Sequence, residues 1–172
     1  MLTNIRQAEE RDAAALAELA ERTFRNTFAP MNSAEDMELH CRKHYGRSIQ
    51  SAEIRDPGRT TLLCHAGERL AGYGQLRWAS APSCVHAKKP AEIQRLYVDA
   101  PWHGTGAAQA LMAALLDAAI AGGADVAWLG VWERNPRAIA FYEKCGFAIV
   151  GDHVFVVGKD PQRDLVVARR LG

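Results

Sequence analysis

The sequence lacks the features that mark secreted, membrane-spanning and metal-binding proteins. It has four cysteines in 172 residues, none at C-x-x-C spacing, and its first residues show no basic segment followed by an apolar one. No apolar run approaches the ~18 residues that a membrane span needs. We therefore expect reduced thiols, no metal site, no membrane insertion and a cytoplasmic protein.

An excess of charge of either sign is also missing. Lys and Arg number 21 and Asp and Glu number 20, for a formal net charge of +1. Because proteins that bind nucleic acid usually present a basic face, we expect no nucleic-acid partner. Internal repeats and low-complexity segments are absent as well, and 48% of the residues are apolar. This length and composition predict a single domain over residues 1–172.

Hydrophobic periodicity predicts an alternation of strands and helices. Ser33 followed by Asp36 has the form of a capping box at the start of a helix. Residues 79–90, with their prolines and lysines, are predicted as a surface loop. In chain order, the predicted elements are a strand at 2–6, helices at 9–25 and 34–45, strands at 60–65, 70–78 and 91–98, a helix at 105–121, a strand at 126–132, a helix at 136–145, and strands at 147–157 and 165–170.

A glycine-containing segment, WHGTGAA at residues 102–108, lies between a predicted strand and a predicted helix. The N-terminus of a helix presents unpaired backbone N–H groups and a partial positive charge, which stabilise a diphosphate without any lysine. Gly104 and Gly106 let the backbone come close to such a ligand, and Ala108 is small enough not to obstruct it. The segment therefore predicts a diphosphate site.

The glycine segment also resembles two other kinds of phosphate-binding loop, but it lacks residues that each of them needs. A dinucleotide-binding fold needs a third glycine where Gln109 stands, and Asp125 precedes its strand instead of ending it. A phosphate loop needs Gly-Lys-Ser/Thr, but Ala107 follows Gly106. An ordinary strand-to-helix turn stays open for the segment taken alone.

A second segment, NPRAIAFYEKCGF at residues 135–147, begins with an N-cap residue followed by proline and ends with a helix-stopping glycine. Asn135, Ala138 and Tyr142 are spaced by three and four, so they share one face of the predicted helix. Taken singly, Asn135 can be only a cap and Tyr142 only a core aromatic. Together they form a face that can line a channel for a cofactor.

The two segments, in this order and separated by an amphipathic helix and an apolar strand, resemble the cofactor site of the GCN5-related N-acetyltransferases. The resemblance implies an α/β (α+β) acyl-CoA N-acyltransferase fold, with a mixed central sheet of about seven strands flanked by about four helices. It implies acetyl-CoA as the cofactor and an amine as the acceptor, and many members of the family form homodimers. His103 stands where the family usually has Gln or Arg.

The resemblance also assigns roles to residues. In the family, the strand before the glycine segment pairs its backbone with the pantetheine amides, and Tyr142 lies where the family's tyrosine approaches the sulfur, so we expect Tyr142 to be the general acid. The expected cofactor-binding residues are Leu96, Tyr97, Val98, His103, Gly104, Thr105, Gly106, Ala107, Ala108, Asn135, Ala138 and Tyr142.

The transfer reaction itself requires two proton movements. An amine that attacks a thioester expels a thiolate, whose acid has a pKa of ~8.5, and a phenol of pKa ~10 can protonate it only in a site that tunes the pair. A primary ammonium of pKa ~10.4 must first lose a proton, and Glu92 is the expected base. His65, His103 and Glu133 are alternatives. Cys145 needs no covalent role, because direct transfer uses no enzyme nucleophile.

Three stretches resemble the bacterial PaiA-like spermine and spermidine acetyltransferases: residues 27–28 with Asn32 and residues 35–37, residues 92–98, and residues 151–155 together with 162–164. A polycationic acceptor would need anionic groups near the thioester, and the acids available are Glu35, Asp36, Glu38, Glu92 and Glu133. The alternatives are a protein or peptide amine, a small amine such as an amino acid or aminoglycoside, and a protein that binds acyl-CoA or a partner without turnover.

Overall fold

The computed structural model describes residues 3–172, so Leu2, the first residue of the predicted first strand, lies outside the described residues. Its strands form one seven-stranded sheet in the order β1-β2-β3-β4-β5-β7-β6. The strands are β1 (Thr3–Gln7), β2 (Arg59–Ala66), β3 (Arg69–Arg77), β4 (Pro90–Val98), β5 (Val126–Trp132), β6 (Ala148–Val157) and β7 (Asp160–Arg170). All neighbouring strands are antiparallel except β4 and β5, so the predicted mixed sheet is confirmed.

Helices cover both faces of this sheet. One apolar core joins α1 and α2 to the sheet, and a second core on the other face joins α4 and α5 to it. Within the described residues, no helix is both long enough and apolar enough to cross a membrane. The helices are α1 (Ala13–Phe28), α2 (Ala34–His44), α3 (Arg47–Arg55), α4 (Ala107–Ala121) and α5 (Pro136–Lys144).

Local signals in the sequence set most of these boundaries. The hydroxyl of Ser33 accepts a hydrogen bond from the amide of Asp36 at 3.1 Å, which confirms the predicted cap of α2. On β3, glycine lets α4 approach the sheet: a Cβ at Gly74 would lie 2.6 Å from Cδ1 of Leu115. The four cysteines all lie in the described part of the chain, and each is a free thiol.

Two parts of the structure differ from the sequence prediction. Helix α3 was not predicted, because its buried side is polar: Gln50 is buried, accepts the amide of Gly46 at 2.8 Å and donates to the carbonyl of His44 at 2.9 Å. Strand β7 begins at Asp160 and not at residue 165. Pro161 is tolerated there because β5 pairs with β7 only from Asp164 onward, which leaves the start of β7 with one neighbour.

The central feature of the sheet is the short pairing between β4 and β5. Their parallel register covers Pro90–Glu92 against Val126–Trp128 and then ends. Beyond it the strands diverge, so the edge of β4 that faces β5 has no strand partner over residues 93–98. Unpaired backbone groups inside a protein need another hydrogen-bond partner. The divergence opens a cleft in the middle of the sheet, next to the N-terminus of α4.

A buried ion pair anchors β4 on the side of the sheet that carries α3. The guanidinium of Arg95 lies 2.7 Å from the carboxylate of Glu53, and the two side chains are 9% and 13% exposed. Arg95 also lies over the ring of Tyr45, with 5.4 Å to the centroid. Helix α3 therefore supplies the counter-charge that lets an arginine sit under the cleft.

We predict that Glu53→Ala lowers the free energy of unfolding by about 3 kcal/mol, because it leaves Arg95 buried without a carboxylate. Urea denaturation measures the change. Glu38→Ala is the matched control, since Glu38 binds Arg25 and Arg42 at the exposed surface and its loss should change the free energy of unfolding much less. Equal effects of the two variants would contradict the anchoring role of Glu53.

Candidate active site

The cleft between β4 and β5 has a volume of about 500 Å³. It is bounded by the diverging strands, by the C-terminal part of α1, by the start of α5 and by side chains from β6 and β7. Eight of the twelve residues expected to bind the cofactor lie in its lining: Leu96, Tyr97, Val98, His103, Ala108, Asn135, Ala138 and Tyr142. The structure thus brings both sequence segments to one cavity.

The remaining four expected residues, Gly104, Thr105, Gly106 and Ala107, form the turn into α4 beside the cleft. Gly104 has φ +76° and Gly106 has φ +90°, so both adopt the left-handed conformation that favours glycine. A Cβ on either would meet nothing within 4 Å, which leaves the space over this turn open.

The N-terminus of α4 carries free hydrogen-bond donors. The amide of Ala110 donates to the carbonyl of Gly106 at 3.0 Å. Among the residues that the structure describes, the amides of Ala107 and Ala108 have no backbone acceptor. This is the arrangement that binds anions at a helix N-terminus, and the open turn leaves room for a diphosphate.

His103 links the end of β4 to the start of α5. Its Nε2 lies 2.7 Å from the carbonyl oxygen of Val98, and its Nδ1 lies 3.2 Å from Nη1 of Arg137. A carbonyl can only accept and a guanidinium can only donate, so His103 carries its proton on Nε2 and accepts at Nδ1. The imidazole therefore holds the guanidinium of Arg137 beside the glycine turn, where it can pair with a phosphate.

Tyr142 projects from α5 into the cleft. The side-chain oxygen of Asn135 accepts the amide of Ala138 at 3.2 Å, which confirms the predicted cap and fixes the start of α5. The ring of Tyr142 packs edge-on against Phe141 and Phe147. Burial, with smaller contributions from Tyr97 and Cys145, raises the pKa of Tyr142 well above its usual value, so the phenol keeps its proton at neutral pH.

Glu92, the expected base, is not brought into the cleft. It stands opposite Trp128, at the last pair of the β4–β5 register, so the strands have not yet diverged at its position. Its carboxylate lies 2.7 Å from the guanidinium of Arg77. Two of the alternatives, His65 and Glu133, also lie outside the cleft lining, and Glu133 binds Arg163 at 2.9 Å. His103 lines the cleft, but both of its nitrogens are engaged.

The other acids expected to attract a polycation are occupied as well. Glu35 binds Lys159 at 2.8 Å, and Glu38 binds Arg25 and Arg42. Asp36 accepts the amide of Lys159 and the hydroxyl of Ser33. None of these carboxylates lines the cleft.

Sequence reasoning gave no catalytic role to Asp164, although the structure places its carboxylate in the cleft lining. The side chain is 9% exposed, and its Oδ1 has no hydrogen-bond partner within residues 3–172. Burial raises the pKa of Asp164 to about 7. The only sequence signal was its position in the stretch 162–164 that resembles the polyamine acetyltransferases, but the predicted start of the last strand at residue 165 left Asp164 outside the predicted strands.

The wall of the cleft near Asp164 is apolar. Phe28 and Trp132 face each other with ring centroids 5.3 Å apart, and Met31 and Phe155 complete the same wall. Gly130 on β5 makes room for the carboxylate, since a Cβ there would lie 3.0 Å from Oδ2 of Asp164 and 2.6 Å from Nε2 of His153. The cleft therefore has a donor-rich end at α4, and away from it an aromatic surface beside the carboxylate of Asp164; Thr27 and Arg95 also belong to the lining.

Comparison with known proteins agrees with this geometry. Residues 14–147 match the model of the acetyltransferase (GNAT) family. The chain is 34% identical over 160 residues to an uncharacterised N-acetyltransferase of Mycobacterium tuberculosis, covering 93% of this chain and 98% of that one. It is 30% identical over 165 residues to an uncharacterised N-acetyltransferase encoded in the pepI 3' region of Lactobacillus delbrueckii subsp. lactis, covering 96% and 95%.

Among solved structures, the fold is similar to that of the PaiA N-acetyltransferase from Thermoplasma acidophilum in complex with coenzyme A. The TM-score is 0.79 at 21% identity, and the match covers 99% of each chain. The family match spans more than half of the chain, and the activity of the family uses acetyl-CoA as the acetyl donor. The chain belongs to the GCN5-related N-acetyltransferase family and is an acetyl-CoA-dependent N-acetyltransferase.

Proposed function

We propose that this enzyme transfers the acetyl group from acetyl-CoA directly to a primary amine in the cleft between β4 and β5. The observation that carries the proposal is the divergence of these strands beside the free N-terminus of α4, with Tyr142 in the same cavity. Bound acetyl-CoA supplies an acetyl group already activated as a thioester. The protein has to hold the donor, orient the amine and move protons.

Three groups of the chain are suited to hold the donor. The free amides at Ala107 and Ala108, together with Arg137, form a cationic and donor-rich place for the diphosphate. The unpartnered edge of β4 at residues 96–98 offers backbone donors and acceptors to the amides of the pantetheine arm. Asn135 and Ala138 line the opposite wall.

Tyr142 is assigned as the general acid that protonates the departing thiolate. Its half-buried phenol lines the cleft, and the raised pKa keeps it protonated at neutral pH. When the amine nitrogen bonds to the acetyl carbon, the carbon–sulfur bond breaks and the phenol gives its proton to the sulfur. The phenolate then regains a proton from the nitrogen through solvent.

The acceptor is proposed to carry one ammonium group on an apolar body. A polyamine follows from the sequence resemblance, but a polycation is stabilised by several carboxylates, and the described lining has only Asp164. Phe28, Met31, Trp132 and Phe155 instead offer an apolar and aromatic surface to the part of the acceptor next to its amine.

Assays of coenzyme A release test this assignment with a panel of acceptors: phenethylamine, tyramine, spermidine, spermine, an aminoglycoside and a peptide with a free N-terminus. We predict that kcat/KM is higher for the arylalkylamines than for spermidine by at least about tenfold, the effect expected of about 1.4 kcal/mol of apolar contact. A preference for spermidine or spermine would instead support the polyamine assignment. Binding of acetyl-CoA without transfer to any amine would contradict the proposed function.

We predict that Tyr142→Phe lowers kcat by about 10²-fold and changes the Kd for acetyl-CoA much less, because the variant loses only a proton donor. Steady-state kinetics and calorimetry measure the two quantities. Tyr45→Phe is the control: it removes the phenol of a buried tyrosine that lies outside the cleft lining. An unchanged kcat in Tyr142→Phe would remove Tyr142 from the mechanism.

A further inference from the structure

We infer that Asp164 is the catalytic base that takes the proton from the ammonium group of the acceptor. The inference rests on the proposed function and adds the group that the reaction needs and that Glu92 does not supply. The other candidate acids are bound to cations or to a helix cap, whereas Asp164 is in the cleft lining and has no such partner within residues 3–172.

The position of Asp164 suits contact with the acceptor. It stands opposite Trp132 in the β5–β7 register, so the two side chains project from the same face of the sheet. That face also carries the apolar wall proposed for the acceptor. An amine whose apolar part lies against Trp132 and Phe28 therefore has its nitrogen in reach of a buried carboxylate.

The groups that face Asp164 leave its carboxylate available. From β6, Nε2 of His153 lies 3.9 Å from Oδ2, too far for a hydrogen bond, and this nitrogen also lacks a partner in the described chain. From β4, Tyr97 and Arg95 line the same cleft. Burial raises the pKa of the Tyr97 phenol, the positive charge of Arg95 lowers it, and the carboxylate of Asp164 raises it. No Lys or Arg within residues 3–172 forms an ion pair with Asp164.

Burial explains the basicity of this carboxylate, and no ion pair with a Lys or Arg of residues 3–172 offsets it. Burial raises its pKa to about 7, whereas an ordinary Asp has a pKa of ~3.9. A proton from an ammonium of pKa ~10.4 therefore moves to Asp164 far more easily than to an exposed carboxylate. Near neutral pH the residue can both accept the proton and return it to solvent.

The proton balance of the reaction is complete with these two residues. Asp164 takes one proton from the ammonium, and the free amine then attacks the acetyl carbon. The sulfur leaves with the bonding electron pair and receives a proton from Tyr142. The second proton of the nitrogen then returns to Tyr142 through solvent. Asp164 releases its proton to solvent, so one proton is liberated for each acetyl group transferred.

The decisive experiment measures kcat/KM against pH, from 5.5 to 9.5, for the wild type, Asp164→Asn and the control Asp152→Asn. Asp152 is an exposed carboxylate on β6 that binds Arg163. The wild type should lose activity as pH falls through about 7, because Asp164 must be ionised to accept a proton. Asp164→Asn should lower kcat/KM by about 10²-fold at pH 7.5 and recover part of it toward pH 9.5, where more amine is already deprotonated. Asp152→Asn should follow the wild type.

Several results would overturn the inference. If Asp164→Asn keeps the wild-type activity and the same fall near pH 7, Asp164 is not the base. If His153→Asn abolishes that fall and Asp164→Asn does not, His153 is the base instead. A wild type that transfers to no amine contradicts the proposed function together with the inference. If the wild type and Asp164→Asn are both active and kcat/KM of neither falls near pH 7, the inference alone is contradicted.

Thermal unfolding gives a second readout that does not depend on activity. Because the pKa of Asp164 is raised in the folded state, folding takes up a proton and stability falls as pH rises from about 4 to about 7. Asp164→Asn removes the destabilisation that comes from an ionised, buried carboxylate. The Tm of this variant should therefore exceed that of the wild type by at least about 2 °C at pH 8.5, and by less at pH 5. A lower Tm at pH 8.5 would contradict the buried and unpaired carboxylate on which the inference stands.

Discussion

Strands β4 and β5 pair only over Pro90–Glu92 and Val126–Trp128, and the functional arrangement of the molecule depends on where that pairing stops. Two parallel strands that stayed paired would bury their facing backbone groups in a ladder and leave no space between them. Because they diverge, one edge of β4 faces a cleft and needs hydrogen-bond partners from outside the chain. The pantetheine arm of acetyl-CoA has amides that can meet this need.

The two ends of the cleft have opposite chemistry, and each end follows from its surroundings. At α4, unpaired amides and the guanidinium of Arg137 provide a positive potential. At β7, an apolar wall surrounds Asp164 and keeps its carboxylate poorly solvated. In the proposed mechanism, a donor that carries phosphates and an acceptor that carries an ammonium are directed to different ends, and their reacting groups meet between these ends, beside Tyr142.

The parts of the site that the sequence could predict are those set by local backbone requirements. A positive φ at Gly106 and the cap at Asn135 are demands of single turns, and they identified both the glycine turn and α5. The predicted elements agreed with the observed sheet for the same reason. Helix α3 escaped prediction because the one residue that it buries fully is polar: Gln50 is held by hydrogen bonds, and Ile54 is only partly buried against the core.

The base could not be predicted in this way, because its properties depend on contacts between distant parts of the chain. Glu92 looked suitable in a strand that leads to the cleft, but Arg77 on β3 holds its carboxylate. Asp164 precedes the predicted strand at 165–170, but the pairing of β7 with β5 and β6 buries it, and no Lys or Arg of residues 3–172 forms an ion pair with it. Which charged side chains form ion pairs across strands depends on the order of the strands in the sheet, and hydrophobic periodicity does not reveal that order.

The most direct test of this account is a crystal structure of the protein with acetyl-CoA or coenzyme A bound. The account predicts that the diphosphate accepts hydrogen bonds from the amides of Ala107 and Ala108, that the pantetheine amides pair with β4 at residues 96–98, and that the sulfur lies within hydrogen-bond reach of the Tyr142 hydroxyl. A diphosphate bound elsewhere, or a sulfur distant from Tyr142, would contradict it.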